Sequence, residues 1–397
     1  MSEEIKNLQE ELNDQMQIRR DKLAEYEADG IYPFGQRFVV KDHAKDIKND
    51  FLNYEDQPVV IAGRLMTMRS HGKTAFANIR DLSGDIQVYF RKDVLGEDNY
   101  KYVKMLDIGD IVGIEGHVFK THSGEVTIKV DKLTLLSKAL RPLPEKWHGL
   151  KDTELRYRQR YVDLIVNPEV RDTFVKRSKI VAKIREYMMN DGFMEVETPM
   201  MHPIPGGAAA RPFITHHNAL DIDIYMRIAP ELYLKRLIVG GMERVFEMNR
   251  CFRNEGIDNR HNPEFTTIES YQAYGDVEDA IRLTENLVSY CAQEVLGTQE
   301  ITYQGTEINL TPPWNRITMA EGVKKYTGEN FDAVTTVEEA RAIADRLNVE
   351  YTDNDGIGKI LNACFEDYVE ENLIQPTIVY GHPKEISPLA KASRENP

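Results

Sequence analysis

The chain contains 397 residues, of which 41% are hydrophobic and 29% charged, and its formal net charge at pH 7 is −15. This length exceeds the roughly 250–300 residues at which a single core stops growing, so the sequence predicts more than one domain. The composition excludes a disordered chain and a membrane-spanning one, and the negative charge excludes a protein that holds polyanions by overall charge alone.

The N-terminal segment places apolar residues at helical spacing among charged ones. Residues 4–28 predict an amphipathic helix, which Gly30 and Pro33 end, within a helical extension that spans 1–57. Three basic residues of this helix, Arg19, Arg20 and Lys22, fit either a phosphate contact or a solvated helix face, and the solvated face is favoured. The opening residues have no apolar signal-peptide core, and we therefore expect a cytoplasmic protein that does not bind membranes.

Short β-rich segments separated by turn signals fill the next interval, 58–140. They are VVIAGRLMTMRS, TAFANIRDL, DIQVYFRK, IVGIEGHVFK and EVTIKVDKLTLL. Their number and spacing are typical of the oligonucleotide-binding (OB) fold, a small five-stranded barrel. Arg69, Phe76, Gln87 and Tyr89 fall on or beside adjacent strands, and such basic and aromatic side chains together bind single-stranded nucleic acid. A barrel with a purely structural role fits the same segments.

A linker over residues 138–161, first proline-punctuated and then rich in arginine, leads into a second domain that we place at 141–397. From residue 170 the apolar residues recur with a helical period that Gly192 ends, and FMEVETPMM then alternates like a strand. DIYMRIA, RVFEMNRCFR and FTTIESYQAY predict further strands, and the helical segment TTVEEARAIADRLN begins with a predicted capping box of Thr335 and Glu338. Strands that follow strands, with helices grouped elsewhere, predict an α+β domain with an antiparallel sheet.

Polar and charged residues alternate with apolar ones along RVFEMNRCFR and the segment that returns after the loop GIDNRHNP. The alternation predicts that Arg253 points away from the core, and that Phe265, Glu269 and Tyr271 share one side of the returning strand. Guanidinium, phenyl and carboxylate groups on one surface suit a zwitterion or a nucleotide. An exposed hairpin with weak surface ion pairs is the alternative.

Two shorter segments add candidate binding residues. In RIAPELYLKRLIVGG, Glu231 stands at the start of a predicted helix, where a carboxylate either binds a ligand or only complements the helix dipole. In HPIPGGAAARPF, Gly207 allows close approach of the backbone to a ligand, and a flexible loop is the alternative. The sequence identifies no metal ligands, because its cysteines and histidines lack the paired spacing of such sites.

Taken together, and in order along nearly the whole chain, these segments resemble the bacterial-type class II lysyl-tRNA synthetases. DGFMEVETPMM, with the helix before it, resembles the first motif of that class. FRNE, RHNPEF and TTIESY resemble the second, and RIAPELYLKRL resembles a signature of the lysine enzymes. The resemblance implies ligation of lysine to tRNA(Lys) with ATP as substrate and Mg²⁺ as cofactor. It also implies a homodimer, because the first motif builds the dimer interface in the family.

The same resemblance implies roles for individual residues. Arg253 would be the catalytic residue, holding both the α-phosphate of ATP and the carboxylate of lysine. The remaining ATP-binding residues would be Glu255, His261, Asn262 and Phe265. The remaining lysine-binding residues would be Gly207, Glu231, Glu269 and Tyr271. In the barrel, Arg69, Phe76 and Gln87 would bind the anticodon.

The resemblance further implies features that this chain does not contain. The third class motif has no counterpart up to Pro397, so we expect the magnesium ligands to lie beyond that residue. We therefore expect either a fragment or a shortened form. The alternative function is a non-catalytic RNA-binding or regulatory relative that keeps the barrel and part of the pocket. A lysyltransferase acting on a translation factor is a second alternative, although such relatives lack the barrel.

Overall fold

The computed structural model describes residues 3–144, 150–258 and 261–393. Their contacts divide the chain into two compact units, Met1–Arg171 and Asp172–Pro397. Over the described part of the chain, every helix is too short or too polar to cross a lipid bilayer.

The first unit is built on a closed β-barrel whose strands follow the order β1-β2-β3-β5-β4. Its strands are β1 (Pro58–His71), β2 (Thr74–Arg80), β3 (Asp85–Arg91), β4 (Ile111–Lys120) and β5 (Val126–Ser137). Its helices are α1 (Glu3–Ala28), α2 (Ala44–Asn49), α3 (Phe51–Tyr54), α4 (Lys92–Leu95), α5 (Glu97–Met105), α6 (Thr153–Arg158) and α7 (Arg160–Val166). All five predicted strands are present, which confirms the OB-fold.

Strict alternation of side chains fills the barrel. On β2, Ala75, Ala77 and Ile79 are buried inside, whereas Phe76 and Asn78 point outward and are only partly covered. Strand β3 follows the same pattern, with alternate apolar residues inside and Gln87 and Tyr89 outside. Because the period of a strand is two residues, one pleated sequence supplies both the core and an outer face with polar and aromatic groups.

Glycine permits two close backbone contacts within the barrel. A Cβ atom on Gly116 would lie 2.2 Å from the carbonyl oxygen of Lys129, and one on Gly63 would lie 2.5 Å from that of Arg80. Gly116 adjoins a break in the β4–β5 register. Strands that approach this closely leave no room for a side chain, which is a common reason for glycine inside a strand.

Two of the three basic residues considered in helix α1 are held by contacts within the first unit, whereas Arg20 is exposed, as expected of a solvated face. Arg19 is only 8% exposed, and its Nη1 donates to the backbone oxygens of Ile108, Ala139 and Arg141. Lys22 forms an ion pair of 2.7 Å with Asp107. Both side chains therefore attach the helix to the barrel, and for Arg19 the expected solvated face was wrong.

The segment that follows the barrel belongs to the first unit. Arg80 donates to the backbone oxygen of Ile165 at 3.2 Å, and Arg171 donates to that of Asp81 at 3.0 Å. These contacts attach residues 150–171 to the barrel, so the predicted domain boundary at 140/141 lies inside a compact unit. The domain limits themselves stay a prediction.

The second unit is a mixed α+β assembly, as predicted. Helix α8 (Pro168–Asn190) enters it, and its strands are β6 (Met194–Glu195), β7 (Met201–His202), β8 (Ile214–His217), β9 (Ile222–Met226), β10 (Arg244–Phe252), β11 (Glu264–Gln272), β12 (Glu300–Tyr303), β13 (Thr306–Asn309), β14 (Asn315–Thr318) and β15 (Thr377–Tyr380). Its other helices are α9 (Glu231–Val239), α10 (Val277–Leu296), α11 (Met319–Thr327), α12 (Val337–Leu347) and α13 (Ile357–Tyr368). Short 3₁₀ turns follow at Phe331–Ala333 and Glu370–Asn372.

A three-stranded sheet, β11-β10-β6, positions the candidate site. Strands β10 and β11 are antiparallel, as predicted, whereas β6 joins β10 in parallel through only two residues. The strand expected over FMEVETPMM is therefore mostly irregular. Phe246 packs with Met188 and Phe193 on one face of the sheet, beside Ile268 and Leu283. This apolar face leaves the opposite face of β10 and β11 for polar groups.

Helices α11, α12 and α13 enclose a separate apolar core around residues such as Val323, Ile360 and Phe365. The capping box at the start of α12 lies one residue later than expected. It joins Thr336 and Glu339, and Thr335 donates to the Glu339 carboxylate as well. The sequence offers two consecutive threonines, so spacing alone did not decide between them.

Candidate active site

The register of β10 and β11 brings the predicted site residues onto one face of the sheet. Glu247 pairs directly with Glu269, and Cys251 pairs with Phe265. The pairing continues beyond β10, because the backbone N–H of Arg253 donates to the Pro263 oxygen at 2.9 Å. Directly opposed residues in an antiparallel pair project to the same side. The expected arrangement of Arg253, Phe265 and Glu269 on one side is therefore observed.

This face is not an open surface. Glu247, Asn249 and Cys251 are all buried, although their strand positions were expected to point away from the core. Helix α9 packs against both β10 and β11. The alternation correctly predicted which residues share a face, but the polar face is buried and not exposed to solvent. An exposed hairpin with surface ion pairs does not describe these strands.

Arg253 combines an aromatic neighbour with unused hydrogen-bonding capacity. The guanidinium carbon lies 5.1 Å from the centre of the Phe265 ring, within cation–π distance. The Nε atom is buried and has no hydrogen-bond partner in residues 3–144, 150–258 and 261–393. Buried donors rarely stay unpaired in proteins, and an anionic ligand group would satisfy this one.

Glu269 is a half-buried carboxylate whose hydrogen-bond donor is Tyr271. The Tyr271 hydroxyl donates to it at 3.0 Å, and no cation of the described residues lies within ion-pair distance. Burial raises the pKa of Glu269, and the negative charges of Glu231 and Glu247 act in the same direction, against the hydrogen bond from Tyr271 and the charge of Arg253. Burial and the Glu269 charge together raise the pKa of Tyr271. The pocket therefore offers a desolvated negative charge without a cationic partner.

Glu231 and Gly207 lie next to each other at the start of α9. Gly207 adopts a φ of +90°, and a Cβ atom on it would stand 3.0 Å from that of Glu231. The Glu231 carboxylate accepts from Lys235, one helical turn later, at 2.6 Å. A ligand ammonium at Glu231 would have to share the carboxylate with this lysine or displace it.

The loop between β10 and β11 carries the other predicted nucleotide residues, which are exposed. Glu255 accepts from the backbone N–H of Arg211 at 3.2 Å. His261 contacts Asp258 at 2.7 Å, and the Asn262 amide donates to the backbone of Glu264 at 2.7 Å. The hydrogen bonds of His261 and Asn262 are local, whereas Glu255 bonds to a residue 44 positions earlier in the chain.

The predicted anticodon residues occupy one outer face of the barrel in the first unit. The rings of Phe76 and Tyr89 stack with their centres 4.4 Å apart, and Arg69 is the cross-strand partner of Phe76. The Gln87 side chain lies nearby on β3, where its oxygen accepts from the Thr127 hydroxyl at 2.8 Å. The face thus combines a stacking platform, a cation and an amide, the group types that bind unpaired bases.

Two further charged residues lie beneath the pocket, and the sequence analysis did not assign them a role. Arg227 and Glu247 are each 3% exposed and form an ion pair of 2.6 Å. The sequence contained a signal for them, since the arginine in YMRIA and the glutamate in VFEM each stand among apolar neighbours.

The described residues do not fit a magnesium site. No group of three or more histidine, cysteine, aspartate or glutamate residues among them could hold a metal ion. Magnesium prefers an octahedral set of oxygen ligands, including carboxylates. We therefore assign no step of the reaction to the metal.

Comparison with known proteins agrees with this geometry. The family described as class II tRNA synthetases (D, K and N) matches residues 152–397, and the OB-fold nucleic acid binding domain matches residues 59–136. The lysine–tRNA ligase of Thermoanaerobacter pseudethanolicus is 57% identical over 397 residues, covering 100% of this chain and 80% of that protein. The lysine–tRNA ligase of Bacillus subtilis is 55% identical, covering 100% of this chain and 81% of that protein. The chain belongs to the class II tRNA synthetases of the D, K and N group, in one family with the bacterial lysine–tRNA ligases.

Proposed function

We propose that the protein is a lysine–tRNA ligase, an enzyme that joins lysine and ATP into lysyl-adenylate and then transfers the lysyl group to the 3′ end of tRNA(Lys). One observation supports this most strongly. Arg253 and Glu269 face the same side of one pair of strands. Among the described residues, the buried Nε of Arg253 has no hydrogen-bond partner and the Glu269 carboxylate has no cation within ion-pair distance. Lysine and ATP together supply the complementary groups.

The proposed first step is an attack of the lysine carboxylate on the α-phosphorus of ATP. A carboxylate oxygen forms a bond to phosphorus, and pyrophosphate leaves with the electron pair of the broken P–O bond. Arg253 binds the α-phosphate and the carboxylate, so it opposes their mutual repulsion and stabilises the charge that develops in the transition state. Holding both reactants in one site contributes further through orientation.

Neighbouring groups would position the nucleotide. Phe265 already lies beside the guanidinium and would stack on the adenine, while Glu255 would accept from its amino group. His261 and Asn262 would contact phosphate and nucleotide from the loop. These roles are part of the proposal and follow from the match of the motif to the family.

The amino acid would be oriented by groups at its two ends. Glu231 and the backbone of Gly207 would receive the α-ammonium, and Glu269 and Tyr271 would receive the side-chain ammonium. An uncharged side chain would leave Glu269 desolvated and unpaired, which is costly, so the pocket discriminates in favour of lysine.

The barrel would bind the anticodon of the tRNA. Phe76 would stack on a base beside Tyr89, and Arg69 and Gln87 would hydrogen-bond to it. Magnesium would assist as in the family, with ligands outside the described residues. The proposed role in translation places the protein in the cytoplasm.

A homodimer is also part of the proposal. Residues 172–180, in the first half of α8, are all exposed, including Phe174, Val175 and Ile180. A helical segment with this many exposed apolar side chains suits an interface with a second copy of the chain. Sedimentation at several protein concentrations would measure the oligomeric state.

Amino-acid-dependent exchange of pyrophosphate into ATP tests the proposed reaction in the full-length protein. We expect exchange with lysine and none with norleucine, aspartate or asparagine. Arg253→Gln should lower exchange by about 10²–10³-fold, the usual effect of losing one donor to a developing anion. Arg250→Gln is the matched control, because this exposed arginine pairs with Glu264 on the other face of β10. Binding of tRNA without lysine-dependent exchange would instead support the non-catalytic alternative.

A further inference from the structure

Two carboxylates oppose each other across the strands beneath the proposed lysine pocket. Glu247 on β10 and Glu269 on β11 are direct cross-strand partners. Like charges in this relation destabilise a sheet, and the burial of Glu247 and partial burial of Glu269 strengthen their repulsion. Each carboxylate therefore needs a cation or hydrogen-bond donors to offset its charge. Among the described residues, only Glu247 has a cation as partner.

Glu247 is compensated within the protein. Arg227 Nη1 donates to one carboxylate oxygen at 2.6 Å, and the Thr198 hydroxyl donates to the other at 2.6 Å. Arg227 is in turn fixed by a bond from its Nε to the backbone oxygen of Arg250 at 2.8 Å. Both Glu247 oxygens are thus occupied, and the arginine is held in a single orientation.

Within the part of the chain that the structure describes, Glu269 receives no such compensation. Its own strand provides the neutral hydroxyl of Tyr271, and α9 provides Glu231, which is already paired with Lys235. Strand β10 and the residue after it contribute Glu247, the thiol of Cys251 and the guanidinium of Arg253, whose Cζ lies over the Phe265 ring. The Glu247 charge raises the pKa of Glu269, and Glu247 is itself paired with Arg227.

We propose that Arg227 and Glu247 are positioning residues of the lysine pocket, whose mutual ion pair leaves Glu269 as the one carboxylate that takes up the side-chain ammonium. This inference rests on the proposed function. Without Arg227, two adjacent buried carboxylates compete for one proton, and Glu269 ionises at higher pH. Without the Glu247 charge, one of the negative charges that raise the pKa of Glu269 is gone and the Arg227 cation has lost its partner, so Glu269 ionises at lower pH.

The two single substitutions should therefore shift one measurable midpoint in opposite directions. Calorimetric titration of the full-length protein with L-lysine, from about pH 5 to 9, gives the pH at which affinity is half its upper limit. We expect Arg227→Met to raise this midpoint and Glu247→Gln to lower it, each by about 1 pH unit or more. The double variant Arg227→Met/Glu247→Gln should return close to the original midpoint.

A purely structural role for the ion pair would produce a different result. Loss of the pair would then lower the unfolding temperature of each single variant but leave the midpoint where it was. If Arg227→Met does not fold, the other two variants still test the proposal. Glu247→Gln should lower the midpoint, and the double variant should return it to the original value. Arg244→Met is the matched control, because this arginine starts the same strand and pairs with Asp191 instead.

The outcomes separate this inference from the proposed function. Unchanged midpoints in both Glu247→Gln and the double variant, with normal lysine binding by the unsubstituted protein, would overturn only the role of the ion pair. Failure of the unsubstituted protein to bind lysine would contradict the proposed function itself. Opposite shifts in the single variants, cancelled in the double variant, would support both.

Discussion

Replacing Glu269 with glutamine removes the pocket carboxylate that has no cation within ion-pair distance among the described residues, while the shape of the side chain is nearly kept. Hydrogen bonds to a charged partner contribute about 1.5–3 kcal/mol, and Glu269 is half-buried and held by Tyr271 at 3.0 Å. Each 1.4 kcal/mol is a factor of ten in affinity, so lysine should bind about 10- to 150-fold more weakly. Calorimetric titration at neutral pH measures this loss. Norleucine, which lacks the side-chain ammonium of lysine, should bind the variant at least as well as the original protein.

The same substitution should affect stability in the opposite direction. Burial raises the Glu269 pKa above its unfolded value, so its contribution to stability is complete below the unfolded pKa and declines as pH rises through the folded pKa. The ligand-free Glu269→Gln variant should therefore gain unfolding temperature relative to the original protein as pH increases from acid to neutral. Thermal unfolding at several pH values measures the difference. Unchanged lysine affinity, or a difference in unfolding temperature that does not grow with pH, would refute the reasoning.

Three further outcomes follow from the structure. Phe76→Ala should weaken tRNA binding by about 1–3 kcal/mol through lost stacking, whereas Leu82→Ala, in an exposed loop of the same unit, should leave it unchanged in a filter-binding assay. Gly116→Ala should destabilise the protein by about 1–3 kcal/mol, measured by denaturant unfolding, because the added methyl group would lie 2.2 Å from a backbone oxygen. Gly84→Ala is the control and should be near neutral, because the space around Gly84 is open. Burial raises the pKa of the Cys251 thiol to about 11, so an alkylating reagent at neutral pH should modify it only after unfolding, as mass spectrometry would detect.

The parts of the fold that could be predicted from the sequence are those that depend on local periodicity. The alternation in TAFANIR and DIQVYFR assigned Phe76 and Gln87 to the outside of the barrel, because a two-residue period needs no knowledge of distant packing. The same argument placed Arg253 and Glu269 on one face, and the register of β10 and β11 confirmed that geometry.

Features that depend on long-range contacts could not be predicted in this way. The burial of Glu247 depends on Arg227, which follows β9 and lies 20 residues earlier, and on the packing of α9. Neither is visible in the pattern of β10. Arg19 was expected on a solvated face, because helical periodicity cannot show that three carbonyl groups more than 80 residues away converge on it. The burial of a polar residue therefore cannot be predicted from a single segment when its hydrogen-bond partners lie far away in the sequence.

The most direct test of the central claim is a crystal structure of the full-length protein with a non-hydrolysable analogue of lysyl-adenylate. We expect the side-chain ammonium within hydrogen-bonding distance of Glu269, and the phosphate or its isostere on the guanidinium of Arg253, with Nε among its donors. Electron density for the analogue on the opposite face of the sheet, or distant from β10 and β11, would contradict the account.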